Sequence, residues 1–220
     1  MYPEQLTSNS FYLRTGKRLV DIFLSIAGLV FLSPLFLALA ALVKITSPGR
    51  VLYRQQRVGK DGCVFAIVKF RSMFQDHGEN GPTVTSARDP RITPLGRWLR
   101  YLKLDELPQL WNVLVGDMSI VGPRPELPSY VAAYNACQKR VLAVRPGLTD
   151  DASLAFRWEE ELLSQSHDPE QFYRDVVLPR KLELSLEYVA KASLARDFSL
   201  IVRTLLSITK RPSPGVAITS

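Results

Sequence analysis

The longest feature in the hydrophobic pattern runs from Ile22 to Val43, 22 residues without a charge. About 20 apolar residues cross the hydrocarbon core of a bilayer as one helix. Helices apolar all round are rare in small soluble domains, so the run predicts membrane insertion. A secretory signal fits poorly, because the run is too long and no small-x-small cleavage site follows it. Pro34 falls near its middle, directly after Ser33. Proline removes a backbone donor and disfavours helical angles in the residue before it, so a helix–break–helix is expected at Ser33-Pro34. Arg14, Lys17 and Arg18 precede the run, and Lys44, Arg50, Arg54, Arg57 and Lys60 follow it. Positive flanks stay on the cytoplasmic side. Both ends are therefore expected on one face, as a re-entrant segment; a kinked spanning helix is the competing reading.

Beyond Ser47-Pro48-Gly49 the pattern changes to short elements. Residues 51–58 read as a basic extended segment, 59–62 as a turn, and 63–70 as a partly β-branched strand. Residues 75–94 hold Gly, Pro, Asn and Asp without an apolar period, which predicts a long loop, either a binding loop or a surface excursion. From Pro94 to Lys103 a helical period puts Leu95, Trp98, Leu99 and Leu102 on one face, beside a cationic stripe of Arg97, Arg100 and Lys103. A second helix is expected over 105–116, with Asp105 as N-cap, Pro108 in the first turn and Gly116 at the C-terminal cap. A short strand at 118–121, a rigid Gly122-Pro-Arg-Pro125 turn, a helix over 129–144 and a turn at 145–149 follow. Asp168-Pro-Glu opens a helix running to about Ala192, and 197–210 is an apolar segment with basic punctuation, suited to a membrane surface or to a core. The fold class this predicts is α+β, mostly helical, with short strands and a membrane-associated N-terminal re-entrant helix–break–helix. The expected organisation is a tail at 1–16, the membrane hairpin at 17–45, a catalytic domain at 46–210 and a tail at 211–220.

Charge adds one constraint. Lys plus Arg number 28 against 21 Asp plus Glu, a net charge of +7, which suits an anionic partner: nucleic acid, anionic lipid or a phosphorylated substrate. Nucleic acid is disfavoured, because the cations are dispersed around apolar segments and not gathered on one basic module. Cys63 and Cys137 lack any paired spacing and read as free thiols. His77 and His167 are isolated, so a zinc site is not expected.

Asp105 and Glu106 are the acidic pair to weigh. Adjacent residues diverge around a helix, so they do not form a facing dyad. One reading is an acidic helix start that complements the helix dipole. The other is phosphate chemistry, favoured by the cationic stripe just before the pair and by Arg124 and Arg145 in proline-fixed turns. A carboxylate beside phosphate can serve as nucleophile, metal ligand or general base.

Several short motifs occur together and in order: Lys17-Arg-Leu-Val-Asp21, Ser33-Pro34, Gln56-Arg-Val-Gly59, Lys69-Phe-Arg-Ser-Met73, Leu104-Asp-Glu-Leu-Pro-Gln-Leu110, Gly116-Asp-Met-Ser-Ile-Val-Gly-Pro-Arg-Pro125 and Val144-Arg-Pro-Gly147. With these the chain resembles the bacterial sugar transferases, the monotopic phosphoglycosyl transferases, over roughly 17–208. The resemblance implies transfer of a sugar-1-phosphate from a UDP-sugar to a polyprenyl phosphate such as undecaprenyl phosphate. It implies a site on the cytoplasmic face of the bacterial inner membrane, as the first membrane step of O-antigen, capsule, exopolysaccharide or glycoprotein glycan assembly. By the same resemblance Asp105 is the nucleophile and a contact for Mg2+, and Glu106 is the general base. Lys69, Arg71, Arg100, Arg124 and Arg145 surround phosphates, and Ser33-Pro34 form the membrane break. A homodimer is left open. Many members continue the Pro-Gly turn with Gly-Trp-Ala-Gln; here it reads Pro146-Gly-Leu-Thr-Asp-Asp-Ala-Ser153, then Phe156-Arg-Trp-Glu-Glu-Glu-Leu162. This points to a separate subgroup with its own donor pocket. With no further apolar run ahead of residue 22, the chain is expected to be a minimal catalytic unit. Two alternatives stand beside this reading: a non-catalytic basic module at a membrane interface, and a glycosyltransferase that releases UDP in place of UMP.

Overall fold

The computed structural model describes residues 16–74, 84–87 and 89–207. Arg14, His77, much of the 75–94 loop and the 211–220 tail lie outside those residues. Two helices open the fold, α1 (Lys17–Phe31) and α2 (Ser33–Thr46), bent by 62° at the break. The residue with non-helical angles is Leu32 (φ −89°, ψ 2°), one position before the expected site. Ser33 and Pro34 instead occupy the first turn of α2, where a missing N–H costs nothing, and Ser33 Oγ donates back to Val30 O at 2.8 Å.

The polarity of α1 is inverted relative to a soluble helix. Its buried positions are Asp21 and Ser25, whereas Leu19, Phe23, Ile26, Val30 and Phe31 face outward. The inner face is bonded to the body. Asp21 accepts from Ser119 Oγ (3.0 Å) and Ile120 N (2.9 Å). Arg18 donates to the carbonyls of Val113 and Leu114, and Lys17 pairs with Asp197. The far end of α2 is held as firmly: buried Arg71 donates from Nη2 to Val43 O, Ser47 O and Ser47 Oγ.

The body follows in short pieces. Strands β1 (Leu52–Val58) and β2 (Val64–Phe70) form an antiparallel hairpin, with Leu52 opposite Phe70 and Val58 opposite Val64. Helix α3 (Pro94–Tyr101) is capped by Thr93 Oγ1, which accepts from Gly96 N. Its apolar face differs from the expected one: Leu99 is buried, but Trp98 is 67% exposed. Helix α4 (Gln109–Val115) ends at Gly116, whose φ of 101° is open to glycine at little cost. Strand β3 (Ser119–Val121) pairs in parallel with β4 (Gly147–Thr149), which the sequence reads as a turn. The strands meet so closely that a Cβ on Gly147 would fall 2.0 Å from Gly122 N, so only glycine fits there.

The expected helix over 129–144 is broken into α5 (Pro128–Ala132) and a 3-10 segment, Gln138–Ala143. Short helices α6 (Asp151–Ala155) and α7 (Glu159–Leu163) lead to α8 (Pro169–Phe172), which Asp168 caps as expected. It continues through a π-helical turn, Tyr173–Val177, into α9 (Leu178–Lys191). Last comes α10 (Leu194–Ser207), which begins before the expected Asp197; that residue is buried inside it. The fold is α+β and mostly helical, with short strands. One core cluster joins Ile67, Leu110, Val113, Met118, Val121, Tyr188 and Leu200, with Leu24 and Leu29 of α1 packed against it. A second lies between α5, the π turn and α9. A third ties α2 to β2 and α3 through Leu39, Val43, Phe70 and Leu99.

Candidate active site

Lys103 ends α3 in the left-handed region at φ 57°, a conformation that costs a residue with a Cβ about 1–2 kcal/mol. The chain is thereby turned inward as a 3-10 turn, Leu104–Glu106, with Leu104 and Leu107 packed on the Phe70–Leu99 cluster. The consequence is burial of two adjacent acids: Asp105 is 4% exposed and Glu106 8%. Asp105 is not the cap of a longer helix, as its spacing suggested. Helix α4 starts only at Gln109, and Pro108 occupies its N-cap position without a side-chain bond. The acidic-helix-start reading fails because a capping acid accepts from free N–H groups of the first turn, and Asp105 Oδ1 is without a hydrogen-bond partner.

The two acids differ sharply. Glu106 accepts from Lys69 Nζ at 3.0 Å and from both terminal nitrogens of Arg124, at 3.1 Å from Nη1 and more closely from Nη2. Burial would raise its pKa, but the charges of Arg124 and Lys69 together hold the carboxyl well below the usual range. Asp105 has an oxygen, Oδ1, buried without a hydrogen-bond partner. Burial, then the neighbouring Glu106 charge, push its pKa up, against the pull of Lys69, Arg100 and Lys103. Lys69 is itself lowered by burial, opposed by Glu106.

The remaining expected residues are spread unevenly. Arg100 is within electrostatic reach of Asp105, and its guanidinium is held by Glu160 Oε1 at 2.5 and 3.0 Å. Arg71 anchors the end of α2, although its Nε and Nη1 are buried without partners. Arg145 donates to Gly116 O. That is the far end of α4 from the acids, about 10 Å along the helix axis at 1.5 Å per residue. Sequence reasoning missed Glu160, whose only signal is the acidic run inside the divergent 156–162 stretch. It also missed Gln109, which is 1% exposed.

A second buried ionic cluster lies beyond Arg124. Tyr173 Oη donates to Glu126 Oε1 at 2.7 Å. Lys181 Nζ donates to Glu159 Oε2 (3.0 Å), Tyr173 Oη (3.2 Å) and Glu126 Oε1 (3.4 Å). Arg57 closes the other side of Glu126 at 3.5 Å and donates to Pro125 O. This cluster fixes the Pro123–Glu126 segment that carries Arg124.

Two buried carboxylates thus lie side by side, one with an unpartnered oxygen and one gathering the two cations Lys69 and Arg124. A family model described as Bacterial sugar transferase matches residues 12–211, and the chain belongs to that family. It is 37% identical over 203 residues to UDP-glucose:undecaprenyl-phosphate glucose-1-phosphate transferase of Xanthomonas campestris pv. campestris, covering 90% of this chain and 39% of that protein. It is 35% identical over 195 residues to UDP-N-acetylgalactosamine-undecaprenyl-phosphate N-acetylgalactosaminephosphotransferase of Aeromonas hydrophila, covering 87% and 43%. Against the exopolysaccharide production protein ExoY of Sinorhizobium fredii the identity is 33% over 208 residues, covering 88% and 85%. The chain therefore spans about two fifths of the length of the first two relatives and most of the third.

Proposed function

We propose that this chain transfers a sugar-1-phosphate from a UDP-sugar to a polyprenyl phosphate such as undecaprenyl phosphate, through a phosphosugar bonded to Asp105, in bacterial glycan assembly. The observation that carries the reading is the contrast inside one turn: Glu106 is saturated with cations, and Asp105 is buried with an oxygen free. An Asp105 oxygen attacks the β-phosphorus of the donor. The P–O bond to the α-phosphate breaks, and its electron pair leaves on UMP. An oxygen of the polyprenyl phosphate then attacks the same phosphorus, and the Asp105 carboxylate departs unchanged. Lys69, Arg124 and Arg100 stabilise charge as it develops on the phosphoryl oxygens. Glu106 holds Lys69 and Arg124 in place while the site is empty of phosphate. Its service as proton acceptor requires phosphate oxygens to draw those cations away, since its pKa is otherwise too low for a base.

Magnesium fits the same acids. Among the described residues no group of three or more His, Cys, Asp or Glu side chains gathers around a metal position. Mg2+ needs no such cage, because one or two carboxylates plus substrate phosphates suffice, and of the two carboxylate oxygens of Asp105 one can meet the ion while the other meets phosphorus. When bound, the ion would neutralise the diphosphate.

The α1–α2 pair supports a site at the cytoplasmic face of the inner membrane. Among the described residues no single helix is long and apolar enough to cross a membrane, but the bent pair passes the same test together. The outward face of α1 is apolar, and its most buried positions, Asp21 and Ser25, are polar. Both ends of the pair are tied to one body, through Lys17 and Arg18 at the start and Arg71 at the end. Those facts support a re-entrant hairpin over a span. The test is a panel of UDP-sugars with undecaprenyl phosphate, reading UMP release and the intact mass of the protein. A sugar-phosphate adduct on Asp105, formed before acceptor is added, is expected. Product accumulating with no adduct, or with UDP released, overturns the mechanism.

A further inference from the structure

Asp105 Oδ1 is not alone in lacking a partner. Four residues later in the same stretch of chain, Gln109 is 1% exposed and its Nε2 is buried without a hydrogen bond. Backbone bonds from Leu107 N to Leu104 O, Leu110 N to Leu107 O and Trp111 N to Pro108 O keep the chain helical between them. These are i→i+3 bonds, three residues to the turn, which sets Gln109 one turn on from Glu106, the immediate neighbour of Asp105. The two orphaned atoms are a donor and an acceptor, and they are not bonded to each other. Leaving a buried amide unpaired costs about 1–3 kcal/mol, and an apolar side chain of the same length would avoid the cost. The neighbouring Asn112 shows what a satisfied core amide looks like here: it accepts from Val68 N and donates to Ala66 O.

We infer that Gln109 is a further catalytic residue, whose Nε2 donates a hydrogen bond to a non-bridging oxygen of the phosphoryl group in transfer. One chemical group satisfies both orphans at once: phosphorus takes the bond from Asp105, and an oxygen on that phosphorus accepts from Gln109. Charge grows on that oxygen as the Asp105–phosphorus bond forms and the bond to UMP breaks, so the donor acts most strongly in the transition state. The amide gains and loses no proton. The cations beside the acids stay partly open to solvent: the side chains of Lys69, Arg100 and Arg124 are 17%, 20% and 28% exposed.

This inference rests on the reading of Asp105 as nucleophile, and one experiment separates the two. Membrane-reconstituted full chain is mixed with the active UDP-sugar in single-turnover conditions, following UMP release and the adduct by intact mass, alongside thermal unfolding. In Gln109→Met, release is expected to slow by about 100-fold, the size of a lost donor to developing charge, while the melting temperature stays level or rises. Gln109→Leu repeats the comparison with a different shape. Release within threefold of wild type overturns the role of Gln109. So does a lower melting temperature in both variants, which would mark the amide as a satisfied core group. Absence of any adduct in wild type counts instead against the nucleophile reading, whatever the Gln109 variants do.

Discussion

Two buried ionic clusters sit side by side in this protein and share Arg124 as neighbour. Around Glu126 the carboxylate receives Tyr173, Lys181 and Arg57, and Lys181 reaches a second acid, Glu159. Around Asp105 only Glu106 is satisfied; Asp105 and Gln109 each keep an orphaned atom. The first cluster behaves as structure, because each of its charged groups faces an opposite charge, although Arg57 Nε is buried without a hydrogen-bond partner. The second keeps a cost that folding alone would not select, which is the mark of a group awaiting a ligand.

The contrast breaks most severely at Asp105. Asp105→Asn is expected to lower UMP release by at least about 10³-fold, as loss of a covalent nucleophile does. Its melting temperature should hold or rise, because the buried carboxylate is disfavoured in its charged form; release assays and thermal scans check both.

At the other cluster the signs reverse. Glu126→Gln or Lys181→Met removes one buried charge partner, leaving Lys181 with Glu159 or Glu126 with Arg57, and is expected to cost about 1.5–3 kcal/mol in denaturant unfolding. The double variant should recover part of that loss.

Acid separates the clusters by sign. The Glu126 pKa is depressed: burial raises it, but Lys181 and Arg57 outweigh that. Its stabilisation is thus present above the ordinary value of 4.5 and lost as pH falls through the lower folded value. Asp105 is raised above 3.8, so its contribution runs the other way, and protonation relieves it. The acid limb of UMP release should therefore inflect above 3.8, at a pH where unfolding measurements still show intact protein. An inflection coinciding with unfolding would erase the distinction.

The smallest effect is a surface control. Arg180 and Glu183 pair at 2.7 Å with side chains 61% and 63% exposed. Arg180→Ala should change stability by no more than about 0.5 kcal/mol and leave release unaltered.

The sequence alone determined the broken apolar helix at the N-terminal end of the fold, its break within one residue, the β1–β2 hairpin and the cap at Asp168. It also put Asp105, Glu106, Lys69 and Arg124 on the page as candidates. Those features are local: periodicity, proline and capping chemistry act over a few residues. Tertiary structure alone decided that Asp105 is buried and not a cap, and that Lys69 and Arg124 converge on Glu106 from distant segments. It likewise assigned Arg71 to the end of α2 and Arg145 to the far end of α4. It also formed β4, which needs β3 as a partner, and exposed Trp98 on a face that periodicity reads as buried. Which hydrogen-bonding atoms are satisfied depends on what the rest of the chain brings to them, and no local pattern carries that information.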